Sequence, residues 1–286
     1  MIELVLKIIV FGAVVSGIWA LVASGFSLIF GVARILNFAH GTLFVLSAYF
    51  GIVLVKNIGV NNYLAFILGI LFVGIVGVIV FKLTISPIKT HEVMVVIVTL
   101  AIALLVEQFL LLIFGEHGIS FPSLVGGIQN IGGIKITNIR ILSLIIAIAT
   151  LILLEFFITK TKTGKMITAT SQDMEAAMLM GIDVDRIYLI TMFISSILAG
   201  LGGLLYSQIF ATTPIVSVKA LIYAFAIVIL GGLGSLRGSI IASFIVGYVI
   251  VVTITFLGAR WSEFVMLLTI ISILVVKPTG LFGVEE

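Results

Sequence analysis

Long apolar runs broken by short polar stretches make up most of the 286 residues. Eight hydrophobic segments stand out: Leu6–Phe30, Leu43–Val55, Tyr63–Phe81, Val93–Phe114, Ile141–Ile158, Ile187–Phe210, Ala220–Leu257 and Phe264–Val276. A helix needs about 20 apolar residues to cross a bilayer core. Ala220–Leu257 is far too long for one crossing and is interrupted by Gly231-Gly232-Leu233-Gly234-Ser235-Leu236-Arg237-Gly238, so it divides there. The pattern predicts an all-α polytopic membrane protein of about eight transmembrane helices, some interrupted, in a single domain over 1–286.

Composition supports this. Hydrophobic residues make up 62% and charged residues 9%, against about 25% charged in ordinary globular domains. That leaves too little polar surface for a soluble fold, and the runs are too many for a signal peptide. The chain has no Cys, which removes disulfides, thiol catalysis and thiolate metal sites.

Lys and Arg in the connections set the expected orientation. Alternate connections collect nine on one side (Arg34, Lys82, Lys89, Lys160, Lys162, Lys165, Arg186, Arg237, Lys277) and six on the other (Lys7, Lys56, Lys135, Arg140, Lys219, Arg260). The first set is expected in the cytoplasm, with the C-terminus, and the N-terminus outside. The Gly-rich segment 115–140 then becomes a folded external loop with room for a short hairpin.

Two glycine-rich breaks interrupt the membrane region. Gly31–Gly41 carries Arg34, Asn37 and His40 close to bilayer depth, where polar groups are costly and face protein or a water-filled cavity. It reads either as a site element or as an ordinary turn with His40 capping a helix. No second ligand at helical spacing makes His40 a metal ligand. Gly231–Gly238 is the other break, and reads as its loose counterpart or as a tight helical hairpin. Paired interruptions in two halves of a chain point to a translocation site. Asn37, His40, Gly41, Gly231, Gly232, Gly234 and Arg237 are therefore candidates for lining or hinging a path. Glu107 lies inside a span and reads either as a pathway group or as an interhelical polar contact; Glu155 reads as structural, near Lys160. Ala13…Gly17, Ala20…Ser24, Ser196…Gly200 and Ala199…Gly203 are small-residue pairs that suit close helix packing within the chain.

Thr159–Arg186 is the one substantial polar interruption. Thr170 or Ser171 is expected to cap a helix of about ten residues, roughly 15 Å long, with Asp173 and Glu175 in its first turn. Gly181 supplies a left-handed C-terminal residue followed by apolar Ile182, and Asp183 or Asp185 caps the next span. A helix this short is marginal in water alone. Met174, Ala177, Met178 and Gly181 share one face at i, i+3, i+4, i+7, which suits docking to a partner; lying flat on the membrane is the other reading.

Ser171–Ile182 resembles the Glu-Ala-Ala…Gly coupling motif of ABC importer permeases. Gly25-Phe26-Ser27-Leu28-Ile29-Phe30-Gly31 followed by Asn37-Phe38-Ala39-His40-Gly41, with Gly231–Gly238 downstream, resembles the signature of branched-chain amino acid ABC permeases, and the likeness runs from about Leu4 to Gly283. Length and span pattern match the smaller of two paired permeases. The resemblance implies a multi-pass protein of the cytoplasmic (inner) membrane with a second permease subunit, two cytoplasmic ATPase subunits and an extracytoplasmic binding protein for leucine, isoleucine or valine. It assigns coupling to Asp173, Glu175, Ala176, Ala177, Gly181 and Ile182. One departure is Ser171-Gln172, where the family often has a basic residue.

Gly164-Lys165-Met166 lacks the phosphate-cradling loop and its Ser or Thr. The expectation is a transport subunit and no enzyme, with no cofactor of its own and with ATP and Mg²⁺ bound by partner ATPases. Competing readings are an ABC importer permease for sugars or nucleosides, and an ion-coupled secondary transporter using Glu107.

Overall fold

A computed structural model of the chain describes residues 2–283. Met1 and residues 284–286, the ends of the expected domain 1–286, lie outside the described residues. The helices are α1 (Ile2–Ala33), α2 (His40–Lys56), α3 (Asn62–Val80), α4 (Glu92–Phe114), α5 (Asn138–Lys160), α6 (Lys162–Gln172), α7 (Met174–Leu179), α8 (Val184–Ile209), α9 (Val216–Gly231), α10 (Leu236–Phe256) and α11 (Ser262–Val276), with strands β1 (Ile128–Ile131) and β2 (Ile134–Thr137). A π-helical turn, Phe81–Ile85, and a 3-10 turn, Ser86–Ile88, extend α3.

Among the described residues, seven helical segments are long and apolar enough to cross a membrane, and two shorter apolar helices, α2 and α9, accompany them. The apolar helices thus number nine against the expected eight or so: the eight stretches give nine once Ala220–Leu257 divides, as expected, into α9 and α10. Each shorter helix borders a glycine-rich break: α2 starts where the first ends, and α9 ends where the second begins.

Helices α1 and α8 form the centre. The most apolar stretch of α8 is 72% buried, that of α4 only 11%. Small residues explain this. Gly17 approaches Ala147 of α5, Gly200 sits against Ser47, and Gly203 meets the Phe44 backbone, so backbones come together where side chains would separate them. Hydroxyls then link the helices: Ser195 donates to the Gly25 carbonyl at 2.7 Å and Ser47 to the Gly200 carbonyl at 2.8 Å. The small-residue pairs serve packing within the chain, as expected.

The connections gather at two ends. At one, Lys89 meets Asp185 at 2.6 Å, Arg237 meets Glu155, Gly31 lies against Gly234, and Leu281 and Phe282 bond back to Leu230 and Gly231. This end gathers the connections that carry the nine basic residues. At the other, Lys219 meets Glu263 and Arg140 stacks over Phe11. Segment 115–140 folds there as the expected hairpin: β1 and β2 pair antiparallel around Gly132-Gly133, both at positive φ (59° and 87°), as a two-residue primed turn requires. An antiparallel bridge between Ile119 and Thr212, and the hydrogen bond from Leu124 N–H to Gln208 Oε1 at 3.0 Å, tie this loop to the end of α8.

Candidate functional site

The polar stretch folds as two helices, not one. Asp173 is extended (φ −150°, ψ 107°), closes α6 and caps α7 by accepting the Ala176 N–H on Oδ1 at 3.0 Å. Capping at Thr170 or Ser171 fails because both hydroxyls bond back inside α6, to Met166 at 2.9 Å and Thr168 at 2.8 Å. The exposed helix is therefore six residues long. Its far end closes as expected: Gly181 is at φ +80°, its N–H donates to Met178, and the Ile182 N–H donates to Ala177. That pattern satisfies carbonyls a short helix would otherwise leave bare. Asp183 caps α8 through the Arg186 N–H at 3.1 Å.

The face expected to dock is divided. Ala177 is only 4% exposed, whereas Met174 and Met178 stay exposed, the Met174 sulfur accepting the Tyr188 hydroxyl at 3.0 Å. Ile182 is half-buried, while Asp173, Glu175, Ala176 and Gly181 are exposed. The outermost apolar groups are Leu179 and Met180, 88% and 83% exposed. Periodicity did not single them out, because neither falls on the Met174, Ala177, Met178, Gly181 face. Their visible signal is an apolar pair directly before Gly181 in a stretch with charged neighbours.

Tyr188 ties this element to the rest. Lys89 lies over its ring at 5.3 Å and meets Asp185, so the turn ahead of α4 is fastened to the start of α8. Between Arg34, Lys89, Gln172, Met174 and Tyr188 opens a cleft of about 500 Å³.

The first break is tightly organised. Asn37 is buried; its Oδ1 accepts the Ala39 N–H at 3.1 Å and its carbonyl the His40 N–H at 3.2 Å. Thr99 of α4 accepts the Phe38 N–H at 3.1 Å. His40 is buried; its Nε2 lies 3.0 Å from the Val22 carbonyl, and its ring stands edge-on to Phe26. Gly41 lets α2 touch the Ser217 backbone of α9. Asn37 and Thr191, whose hydroxyl finds no partner among the described residues, share the wall of a cavity of about 10 Å³.

The two breaks meet at Gly31 and Gly234. Gly231 admits the backbone of Gly238, and Gly232 (φ +101°) that of Phe282 and Gly283. Arg237 departs from this cluster. Its Nε and Nη2 both donate to Glu155 Oε1, at 2.9 and 2.6 Å. Glu155 therefore pairs with Arg237, a structural contact as expected, with Arg237 rather than Lys160 as its partner. Glu107 accepts the Ser217 hydroxyl at 2.8 Å, the interhelical contact that was one of its two readings.

A family model described as "Branched-chain amino acid transport system / permease component" matches residues 8–274. A high-affinity branched-chain amino acid transport system permease protein, LivH, of Salmonella typhimurium is 24% identical, over 96% of this chain and 94% of its own. A probable branched-chain amino acid transport permease protein of Methanocaldococcus jannaschii is 28% identical, over 98% and 93%. Among solved structures, PsaBC from Streptococcus pneumoniae in complex with Fab shares the fold, with TM-score 0.51 and 15% identity over 93% of this chain and 89% of that one.

Proposed function

The chain belongs to the branched-chain amino acid transport system permease family, and on that premise we propose that it is the membrane subunit of an ABC importer that moves leucine, isoleucine and valine inward. The basic end faces the cytoplasm. Two ATPase subunits dock there and bind ATP and Mg²⁺, a second permease completes the path, and an extracytoplasmic protein delivers the solute. The chain itself carries out no ATP chemistry. The end with the hairpin and the Ile119–Thr212 bridge receives the delivery protein.

The observation that carries this reading is α7: a six-residue helix on the basic end, stapled by Asp173 and Gly181, with Leu179 and Met180 turned outward. Burying such a side chain fully yields about 1.5–3 kcal/mol, so a groove on a partner gains from covering both. Movement of α7 passes to α8 through Ala177 and the Met174–Tyr188 contact, and to the start of α4 through Lys89–Asp185. Packing of this density transmits displacement rather than absorbing it.

Uptake into vesicles by the co-expressed complex tests the reading, using labelled leucine, isoleucine, valine, a sugar and a nucleoside, with and without ATP. ATP-dependent accumulation restricted to the aliphatic amino acids is expected. ATP-driven accumulation of the sugar or nucleoside instead, or uptake that follows an ion gradient without ATP, would contradict it.

A further inference from the structure

Helices α5 and α10 flank an open groove that the transport reading does not use. Its wall is two matching stripes at i, i+3, i+4, i+7: Ile148, Leu151, Ile152 and Glu155 on α5, and Arg237, Ile240, Ile241 and Phe244 on α10. The stripes run antiparallel, so Glu155 and Arg237 meet at one mouth and the remainder is hydrocarbon. Seven residues of helix place the far end about 10 Å below that mouth. The groove holds about 580 Å³.

The mouth lies at the basic end. Arg237 is 75% exposed and uses one N–H of Nε and one of Nη2 on a single oxygen, Glu155 Oε1. A guanidinium has five N–H donors, so three stay available on its outward side. Glu155 fixes the guanidinium over the opening and leaves those donors pointing away from the carboxylate.

We propose that this groove is a phospholipid site. A lipid of the leaflet at the basic end lays an acyl chain between Ile152 and Ile241, and its phosphodiester receives the free donors of Arg237. The assignment rests on the match of two gradients. The groove passes from charge to hydrocarbon over about 10 Å at the membrane surface, as a phospholipid does. Basic groups between helices on the cytoplasmic side recur as headgroup sites, and planar guanidinium suits phosphate oxygens. A phosphodiester supplies the anion these donors call for, which a purely apolar helix packed on the same wall would not.

Native mass spectrometry of the full chain released from nanodiscs of phosphatidylethanolamine and phosphatidylglycerol tests this. The unsubstituted protein should retain one phospholipid per chain. Arg237→Gln removes the positive charge and the planar guanidinium that suit a phosphate, and Ile241→Trp fills the groove without touching the ion pair; each should lower retention at least five-fold. Leu153→Trp, on the outward side of α5, should retain lipid like the unsubstituted protein. Unchanged retention in either groove variant, loss in Leu153→Trp, or no lipid on the unsubstituted chain overturns the proposal.

Discussion

A β-carbon added to Gly31 would lie 3.2 Å from the carbonyl oxygen of Gly234, so the two glycine-rich breaks, 200 residues apart, pack backbone on backbone. Gly234 is also at φ +80°. Gly59 has nearly the same backbone, φ +78°, with nothing within 4 Å. Each Gly→Ala change incurs the left-handed strain of about 1–2 kcal/mol, but only Gly234→Ala also forces the breaks apart. Thermal unfolding in detergent should show a larger drop for Gly234→Ala than for Gly59→Ala. Equal drops would mean that the contact contributes nothing.

His40 separates a packing role from a solute-contacting one. Its ring fills a buried site against Phe26 and Gly25, with the Val22 carbonyl as its polar partner. His40→Ala leaves a cavity and should cost about 2–5 kcal/mol. His40→Leu keeps most of the volume, and the Val22 carbonyl lies inside α1, so the cost should stay below about 1.5 kcal/mol. Uptake should survive in His40→Leu and fall with stability in His40→Ala. Abolished uptake in a stably folded His40→Leu would assign the imidazole to the solute path instead.

Asp173 holds the junction between α6 and α7 with one carboxylate. Asp173→Ala should cost about 1 kcal/mol locally, and Asp173→Asn or Ser much less. Hydrogen exchange over 174–180 should speed up in the Ala variant and remain near normal in the Ser variant.

Glu107 accepts from Ser217 across α4 and α9. Glu107→Gln keeps an acceptor oxygen for that hydroxyl. ATP-driven leucine uptake by Glu107→Gln should remain within about two-fold of the unsubstituted complex, because a factor of ten requires 1.4 kcal/mol. A loss of ten-fold or more would return Glu107 to the pathway.

The apolar stretches, the split at Gly231–Gly238 and the sorting of connections onto two ends were legible because bilayer thickness and charge act on composition directly. The hairpin in 115–140 was anticipated without its position, and the turn geometry comes from two consecutive glycines, Gly132 and Gly133. The polar stretch Thr159–Arg186 was less legible. Ser, Thr and Asp all cap helices, and sequence alone does not say that Thr170 and Ser171 bond back into α6 while Asp173 breaks out. Helical period placed Met174, Ala177 and Met178 on one face, but Ala177 is buried in the chain's own packing, Met174 also bonds Tyr188, and Leu179 and Met180 stand furthest out. Long-range partners such as Arg237–Glu155 and Gly31–Gly234 have no local signal at all.

That division decides how the central claim is tested. Bulky groups at Ala177 would disturb the chain's own packing, whereas Leu179→Asp with Met180→Asp changes only the outward surface. The decisive measurement is ATP-driven leucine uptake by vesicles holding the co-expressed complex with this double substitution, alongside ATPase co-purification and the melting temperature of the permease. The account predicts uptake lowered at least ten-fold and the ATPases lost or uncoupled, with the melting temperature unchanged. Full uptake with the ATPases still bound would contradict it.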